Sequence, residues 1–523
     1  MALFQSRRDK EQAAVLADLS VQSVPLLELC HFAIASVEKP AFPCRHYLSH
    51  LHREATRLEE MLDHYGAQTN SIWFPYRESV AAAKLFSSVT YAIKHIKSAL
   101  DHYNLMSIES DCKIRTDAVL ASMTGALISI SHNIINQATL CGIPAKSVVS
   151  TFKPCTDEKL IGRLAADRTV RHIANVGEFV VSLATKFLNL SEDRDVRAVL
   201  REPPTGEFAA YVPDPISEER LRIVESRFHN LQSLYDTYIF ESDIEQQNTD
   251  LRYLRGHISA IYHLAETATN LAHYYIRHMS PLRRATSEAM QFPMSANALL
   301  ALLFEYPLYF SRLYLESAVQ LCRKMIRSYS VQAEIEVPIP NYRGFHVRPS
   351  TLVAGVVAHY GSEVTMSLDK QQYNAALPLD LFRANEAINA VKRRHIADML
   401  CQDPELNRPF EGSDEERVRE IQLLLMRLMS EKRVVVYDSS LEVDDLDFSG
   451  DATLAESATH CIRHLVSVAK MDVISNIMVQ FKGDSRALRD LEILAAHGYG
   501  EDELGNNVVL PEELAYLSRQ SPP

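Results

Sequence analysis

Gly344-Phe345-His346-Val347-Arg348-Pro349-Ser350-Thr351 stands between two segments of different period, and its reading decides the fold. Ahead of it, Ala333-Glu334-Ile335-Glu336-Val337-Pro338-Ile339 alternates with period two, the pattern of a strand with one buried face. Behind it, Leu352, Val353, Val356, Val357 and Tyr360 recur at helical spacing, and Gly361 is a stop signal. The octapeptide is therefore a strand-to-helix junction with His346 just before the helix.

Working outward, Glu363 to Leu368 reads as a second strand, Asp369-Lys370 as a tight turn, and Gln372 to Ala375 as a third strand. Helical stretches follow over 380–401 and 414–431. The β-branched run Val434-Val435-Val436-Tyr437 is the expected fourth strand, followed by a helix over 453–469 and an extra strand at Ile474 to Phe481. Asp484 or Ser485 caps a further helix that ends near Gly498. The order predicts an α+β sandwich over 331–481, a four-stranded antiparallel sheet with helices on one face. A helical insertion of about 383–431 and a C-terminal helical tail of 482–523 complete this part.

The junction has a chemistry of its own. A helix's first turn leaves backbone N–H groups without intrahelical acceptors, and its dipole is positive there. An imidazole in front of it can hold a phosphoryl group over those amides. Pro349 removes a donor that would be unpaired anyway, and Arg348 offers a planar fork of donors to phosphate oxygens. Ser350 and Thr351 are candidate hydroxyl donors or, equally, hydroxyls that face the helix interior. With an unperturbed pKa near 6.5, much of a histidine is neutral and nucleophilic at cellular pH.

These residues resemble the active-site signature of HPr, the histidine-containing phosphocarrier of the bacterial sugar phosphotransferase system. That signature runs Gly, an apolar residue, His, a small residue, Arg, Pro and a small residue, and here it is Gly344 to Ser350. The resemblance covers roughly 333–382 and, after an interruption, 432–470. It implies a phosphocarrier or phosphorylation-dependent regulator that accepts phosphate on Nδ1 of His346, with an enzyme I-like donor and acceptor proteins as partners. Two departures stand out. The stretch Ala376-Leu377-Pro378-Leu379-Asp380-Leu381-Phe382 lacks the regulatory serine of many members, so control by an HPr serine kinase is not expected. Leu379, Leu381 and Phe382 remain candidates for the apolar patch with which the family docks its partners. The insertion replaces a short turn and is expected near that docking face. Its Lys392-Arg393-Arg394 run reads as a solvated helix face, and the acidic run Glu442, Asp444, Asp445, Asp447, Asp451 as a solvated loop without EF-hand spacing.

The first 330 residues read as helix after helix. Leu251, Leu254, Ile258, Ile261, Ala265, Ala268, Ala272 and Tyr275 follow a strict 3,4 alternation, with small residues replacing large ones halfway. The segments 10–37, 45–65, 76–105, 115–137, 157–190, 217–244 and 295–329 also carry helical periodicity. Proline punctuation from Pro203-Pro204 to Pro215 suggests a split into 1–200 and 216–330. The expected architecture is thus multidomain, an all-α N-terminal region followed by the α+β domain.

Composition narrows the classes. The net charge is −13, and residues 331 onward hold 19 Lys+Arg against 31 Asp+Glu, so no basic surface argues for nucleic acid. Eight scattered cysteines form no C-x-x-C, which disfavours a disulfide framework or zinc ribbon. The N-terminus has no signal-peptide core, and the apolar run Val119 to Ile130 meets Ser131-His132-Asn133, too short to span a bilayer. A cytoplasmic protein without membrane insertion is expected. His46 and His50 are one turn apart, and Glu28 to His31 is a single E-x-x-H, but neither makes a complete metal motif. His263 and Glu266 share a helix face, which suits a polar contact. No P-loop, G-x-G-x-x-G, G-x-S-x-G or H-E-x-x-H occurs, so no cofactor or metal is called for. The rival expectations are a non-catalytic interaction scaffold that keeps the HPr fold, and a helical ligand sensor.

Overall fold

A computed structural model describes residues 2–39, 42–153, 176–202, 207–279, 292–437, 452–502 and 504–519. It falls into two compact units. Residues 1–176 and 186–322 form the first; 177–185 and 323–523 form the second. The proline-rich segment is therefore not a domain boundary: 1–200 and 216–330 do not separate. The run Pro203 to Gly206, Cys155, the early part of the 157–190 segment and the acidic run 442–451 lie outside the described residues.

The helices in chain order are α1 (Ala2–Ala35), α2 (Arg45–His64), α3 (Phe74–Leu100), α4 (Cys112–Leu140), α5 (Val176–Ser191), α6 (Arg194–Val199), α7 (Glu218–Tyr238), α8 (Asp243–Gln247) and α9 (Thr249–Tyr274). Then come α10 (Ala296–Leu303) and α11 (Tyr309–Tyr329). All eight residues of the 3,4 pattern in and just beyond α9 are buried. Outside that stripe, Gly256 packs tightly against the loop after α3: a Cβ there would stand 2.3 Å from the Asn104 carbonyl oxygen. α9 ends in a π-helical turn, Tyr275–Met279, and a second, Phe304–Leu308, surrounds Pro307 between α10 and α11. That turn carries the helical path past Pro307, within the 295–329 segment that periodicity reads as helical.

The apolar run at Val119 does not stop at Ser131. α4 continues to Leu140, with the Ser131 hydroxyl donating back to the Leu127 carbonyl and Asn133 buried. Both Glu11–Ala35 and Cys112–Leu140 are long and apolar enough to cross a membrane. In the first unit they bury core faces, with Leu19, Leu26, Leu27 and Cys30 on one and Met123, Leu127 and Ile134 on the other.

His257 lies in the middle of α9, fully buried, with Nδ1 2.7 Å from the Tyr253 carbonyl. Burial pulls its pKa below the ordinary histidine value, the backbone contact opposing weakly. The folded pKa is thus below the unfolded one. The associated stability is present above about pH 6.5 and is lost as pH falls below it. The melting temperature should drop between pH 6.5 and 5, and His257→Gln should flatten part of that drop. An unchanged pH slope in the variant would count against a neutral buried ring.

The second unit has α12 (Val347–Tyr360), α13 (Pro378–Cys401), α14 (Asp414–Ser430), α15 (Leu454–Ser467) and α16 (Ser485–Ala496). Its strands are β1 (Gln332–Pro338), β2 (Val364–Leu368), β3 (Gln371–Asn374), β4 (Val434–Val436), β5 (Met471–Val473) and β6 (Met478–Asp484). Gly361 at φ 60° ends α12, and Asp369 at φ 52° makes the β2–β3 turn, both where the sequence puts them. Four strands make an antiparallel sheet in the order β1-β6-β2-β3. Val337, Met366, Val479 and Phe481 turn one face onto α12, α13 and α16, while Glu334, Glu336, Gln480 and Lys482 are exposed on the other.

The fourth strand of this sheet is β6, not Val434–Val436. β4 instead pairs with β5 in a separate two-stranded sheet, with Val434 opposite Val473. Both runs have strand character; pairing partners far away in sequence decide between them. The insertion is correspondingly larger than 383–431. Residues from Ile396 to Val473, with Leu425, Ile462 and Met471 at the centre, build a second core. α13 serves both cores: Leu381, Ala384 and Ile388 pack under the large sheet, Ile396 and Leu400 in the insertion. Between them Lys392, 2% exposed, bonds both carboxylate oxygens of Asp472 at 2.9 and 2.8 Å. It is an internal ion pair rather than part of a solvated face. Nor is 482–523 a separate tail, since Leu488, Leu491, Tyr499, Leu514 and Leu517 belong to the main core.

Candidate functional site

The junction is shaped by two successive left-handed residues, Arg343 at φ 52° and Gly344 at φ 61°. Glycine is required at 344: besides its φ, a Cβ there would stand 2.1 Å from Asn385 Oδ1. Asn385, on α13, clamps the turn. Its Oδ1 accepts from the Phe345 N–H at 3.0 Å, and its Nδ2 donates to the Arg343 carbonyl at 3.0 Å. Arg343 is braced by the insertion. Its Nη2 donates to the Ala469 carbonyl at 2.7 Å, and its guanidinium lies over the rings of Tyr342 and Tyr437 at 5.1 and 5.3 Å. Burial first, and the Asp472 charge second, push the Tyr437 phenol up.

His346 caps α12 in extended conformation and makes no side-chain cap bond. Its backbone N–H donates to the Gly344 carbonyl at 2.8 Å, and that same oxygen lies 3.1 Å from Nδ1. Nε2 lies 3.2 Å from Glu501 Oε2, and the Tyr342 ring stands edge-on at 5.4 Å. The imidazole is 26% exposed. In the first turn of α12 that follows it, the Val347 and Arg348 amides have no intrahelical acceptor. Arg348 Nε donates to the Gly500 carbonyl at 3.2 Å, and among the described residues the guanidinium has no carboxylate partner.

Both hydroxyls turn to the backbone. Ser350 is fully buried and donates to the Phe345 carbonyl at 3.0 Å. Thr351 donates to the Val347 carbonyl one turn back, at 2.7 Å. Each satisfies a backbone acceptor of the turn, and neither is directed at the His346 ring. The apolar triplet divides: Leu381 is core, Phe382 is half-buried, and Leu379 is 74% exposed, close in sequence to the exposed Leu377.

Asn385, Tyr342, Tyr437 and Glu501 are the residues sequence reading missed. Glu501 belongs to a tight loop after α16 in which Gly498 and Gly500 take positive φ and Tyr499 sits between them at φ 56°. The Tyr499 hydroxyl donates to the Pro338 carbonyl at 2.7 Å, pinning this loop to the end of β1. Hydrogen bonds from Asn506, side chain first and backbone second, hold the Asp502 carboxyl below its usual range and close the loop's far side. The visible signal was the Gly498-Tyr499-Gly500 triplet, which marks a sharp turn but not its destination.

Elsewhere, the His46 and His50 rings are 4.4 Å apart with Phe152 stacked on His46. Among the described residues no three His, Cys, Asp or Glu side chains converge as metal ligands. His263 Nδ1 lies 3.4 Å from Glu266, and its ring meets His95 of α3 edge-on at 4.4 Å.

No protein-family model, curated protein or solved structure matches the chain.

The arrangement offers one partly exposed imidazole with two different acceptors at a helix N-terminus, two residues before an arginine whose guanidinium has no carboxylate partner among the described residues. Such a group can act as a nucleophile toward an anionic centre and hold the resulting charge over backbone amides.

Proposed function

We propose that the second unit is an HPr-like phosphocarrier, or a phosphorylation-dependent regulator, that accepts a phosphoryl group on His346. The observation that carries this reading is the half-open imidazole of His346 at the N-terminus of α12, with Arg348 uncommitted to any described carboxylate. The helix end supplies amides and dipole, and the guanidinium supplies donors for the phosphate oxygens. The match of Gly344 to Ser350 to the family signature supports the same assignment. The proposed partners are an enzyme I-like donor and acceptor proteins, for which the exposed Leu377 and Leu379 at the start of α13 are candidate docking residues.

The test is incubation of the full chain with phosphoenolpyruvate and its cognate enzyme I-like protein. Acid-labile phosphate should map to His346 by mass spectrometry and be absent from His346→Ala. No uptake by wild type from any cognate donor would sink the proposal.

One observation favours a scaffold as the second reading. Leu423, Met426 and Met429 form an exposed apolar stripe at three-residue spacing on α14. Partner binding that survives His346→Ala would support it.

A further inference from the structure

We propose that His346 and Glu501 together hold a divalent cation of the zinc class, bound between Nε2 and Oε2, and that it competes with the phosphoryl group for the ring. The competition rests on the carrier reading above; the cation site does not. The ring's orientation decides which nitrogen is free. Nδ1 is hydrogen-bonded to the Gly344 carbonyl at 3.1 Å, and a carbonyl only accepts, so Nδ1 carries the ring proton. Nε2 therefore presents its lone pair, and it does so toward Glu501 Oε2 at 3.2 Å. The Glu501 side chain is 7% exposed, and Oε2 is buried without a hydrogen bond. Two lone pairs thus face each other. Among the described residues no other basic side chain lies within ion-pair distance of Glu501, and Arg348 Nε is turned to the Gly500 carbonyl instead. A buried carboxylate oxygen without a partner is costly, and a cation in the gap satisfies both atoms at once.

The donor set selects the ion. One imidazole nitrogen and one carboxylate oxygen suit zinc, whereas magnesium prefers oxygen ligands and water. With zinc about 2.1 Å from each atom, the observed separation corresponds to an angle of roughly 100° at the metal, near tetrahedral. A backbone carbonyl holding the far ring N–H is the usual outer support of a histidine ligand, fixing its tautomer and ring plane. The carboxylate is held by its own loop. The Val508 N–H donates to the Gly500 carbonyl at 3.0 Å, and Glu501 bridges Asn507 across the loop. Arg348 ties that loop to the first turn of α12.

Among the described residues no third His, Cys, Asp or Glu side chain joins the pair, so water takes the remaining positions and the ion is exchangeable. A neutral imidazole has one lone pair in the ring plane. The cation and a phosphorus atom cannot both take it, so bound metal holds off phosphorylation.

The experiment titrates Zn²⁺ into the full chain labelled with ¹⁵N-histidine, His346 being assigned by its disappearance in His346→Ala. In metal-free protein a long-range proton–nitrogen correlation should find the neutral ring's proton on Nδ1. Zn²⁺ should shift the Nε2 resonance and leave that proton in place, and Mg²⁺ at the same concentration should not. Glu501→Gln, which keeps the shape and removes the charge, should need about tenfold more Zn²⁺, the loss that even an outer partner of a metal ligand causes. Saturating Zn²⁺ should suppress phosphate uptake by wild type. A His346 resonance unmoved by Zn²⁺, or one that moves equally in wild type and Glu501→Gln, overturns the site. Uptake unchanged at saturating Zn²⁺ overturns the competition. No uptake by metal-free wild type overturns the carrier reading, while the resonance still decides the site.

Discussion

Lys392→Ala is expected to destabilise the second unit by about 3–5 kcal/mol, because it leaves the buried Asp472 carboxylate without its cation. Asp472 Oδ1 also accepts from the Val473 N–H at 2.7 Å, so the stranded charge sits on the strand that completes the small sheet. The loss should concentrate in the insertion, which joins the main core through α13. The single tryptophan, Trp73, lies in the first unit, so its fluorescence does not follow this transition. Hydrogen exchange of peptides from α15 and β5 does, and they should lose protection first in urea. Replacing both partners, as Lys392→Met with Asp472→Leu, should recover most of the loss, since an apolar pair of similar volume removes the desolvation cost. A single-variant loss below about 1 kcal/mol would mean the pair behaves as a solvated surface bridge.

Asn385→Ala should cost about 2–4 kcal/mol, because it strands the Phe345 N–H and the Arg343 carbonyl, each worth about 1–3 kcal/mol when left unpaired. The turn it clamps contains two residues at positive φ, a conformation that persists only when its surroundings impose it. His346 follows one residue later, so phosphate uptake should fall with the clamp. Gly344→Ala should also be strongly destabilising on its own, since its new methyl would meet Asn385 Oδ1. The two changes share one contact. In the double variant the methyl enters space vacated by the amide, so the combined loss should be smaller than the sum by about 1 kcal/mol or more. Strict additivity, measured by chemical denaturation, would contradict the clamp.

How far the sequence was legible follows from how local each signal is. The change of period near residue 331, the Gly361 stop, the Asp369 turn and the Asp484 cap depend on neighbours within a few residues, and the structure has them in place. The α9 stripe was readable because eight positions repeat one rule. Val434–Val436 misled because β-branched residues show strand character without naming a partner, and its partner is β5 rather than the large sheet. Lys392 looked like a surface charge because its partner is 80 residues away. Ser350 and Thr351 could be read either as phosphate donors or as hydroxyls turned to the helix; its first turn offers nearer carbonyls, and both take them. Glu501 was out of reach for a different reason: a lone acidic residue in a Gly-flanked loop has no pattern, and only the fold brings it to His346.

The position of β6 at the middle of the large sheet has a consequence for how the chain is made. β1 and β2 have no hydrogen bonds to each other; both wait for a strand that lies more than a hundred residues downstream, beyond the whole insertion. During synthesis the insertion, whose core closes by residue 473, has all its parts before the sheet has its central member. A ribosome-bound chain therefore presents two unpaired strand edges flanking an assembled small body, and pairing across so long a separation is slow. Glu501, the carboxylate neighbour of His346, is translated more than 150 residues after it, so the site can assemble only once residue 501 is out. Pulse-labelled nascent chains halted near residue 476 would hold the histidine between a β1 and a β2–β3 hairpin that still lack the strand joining them.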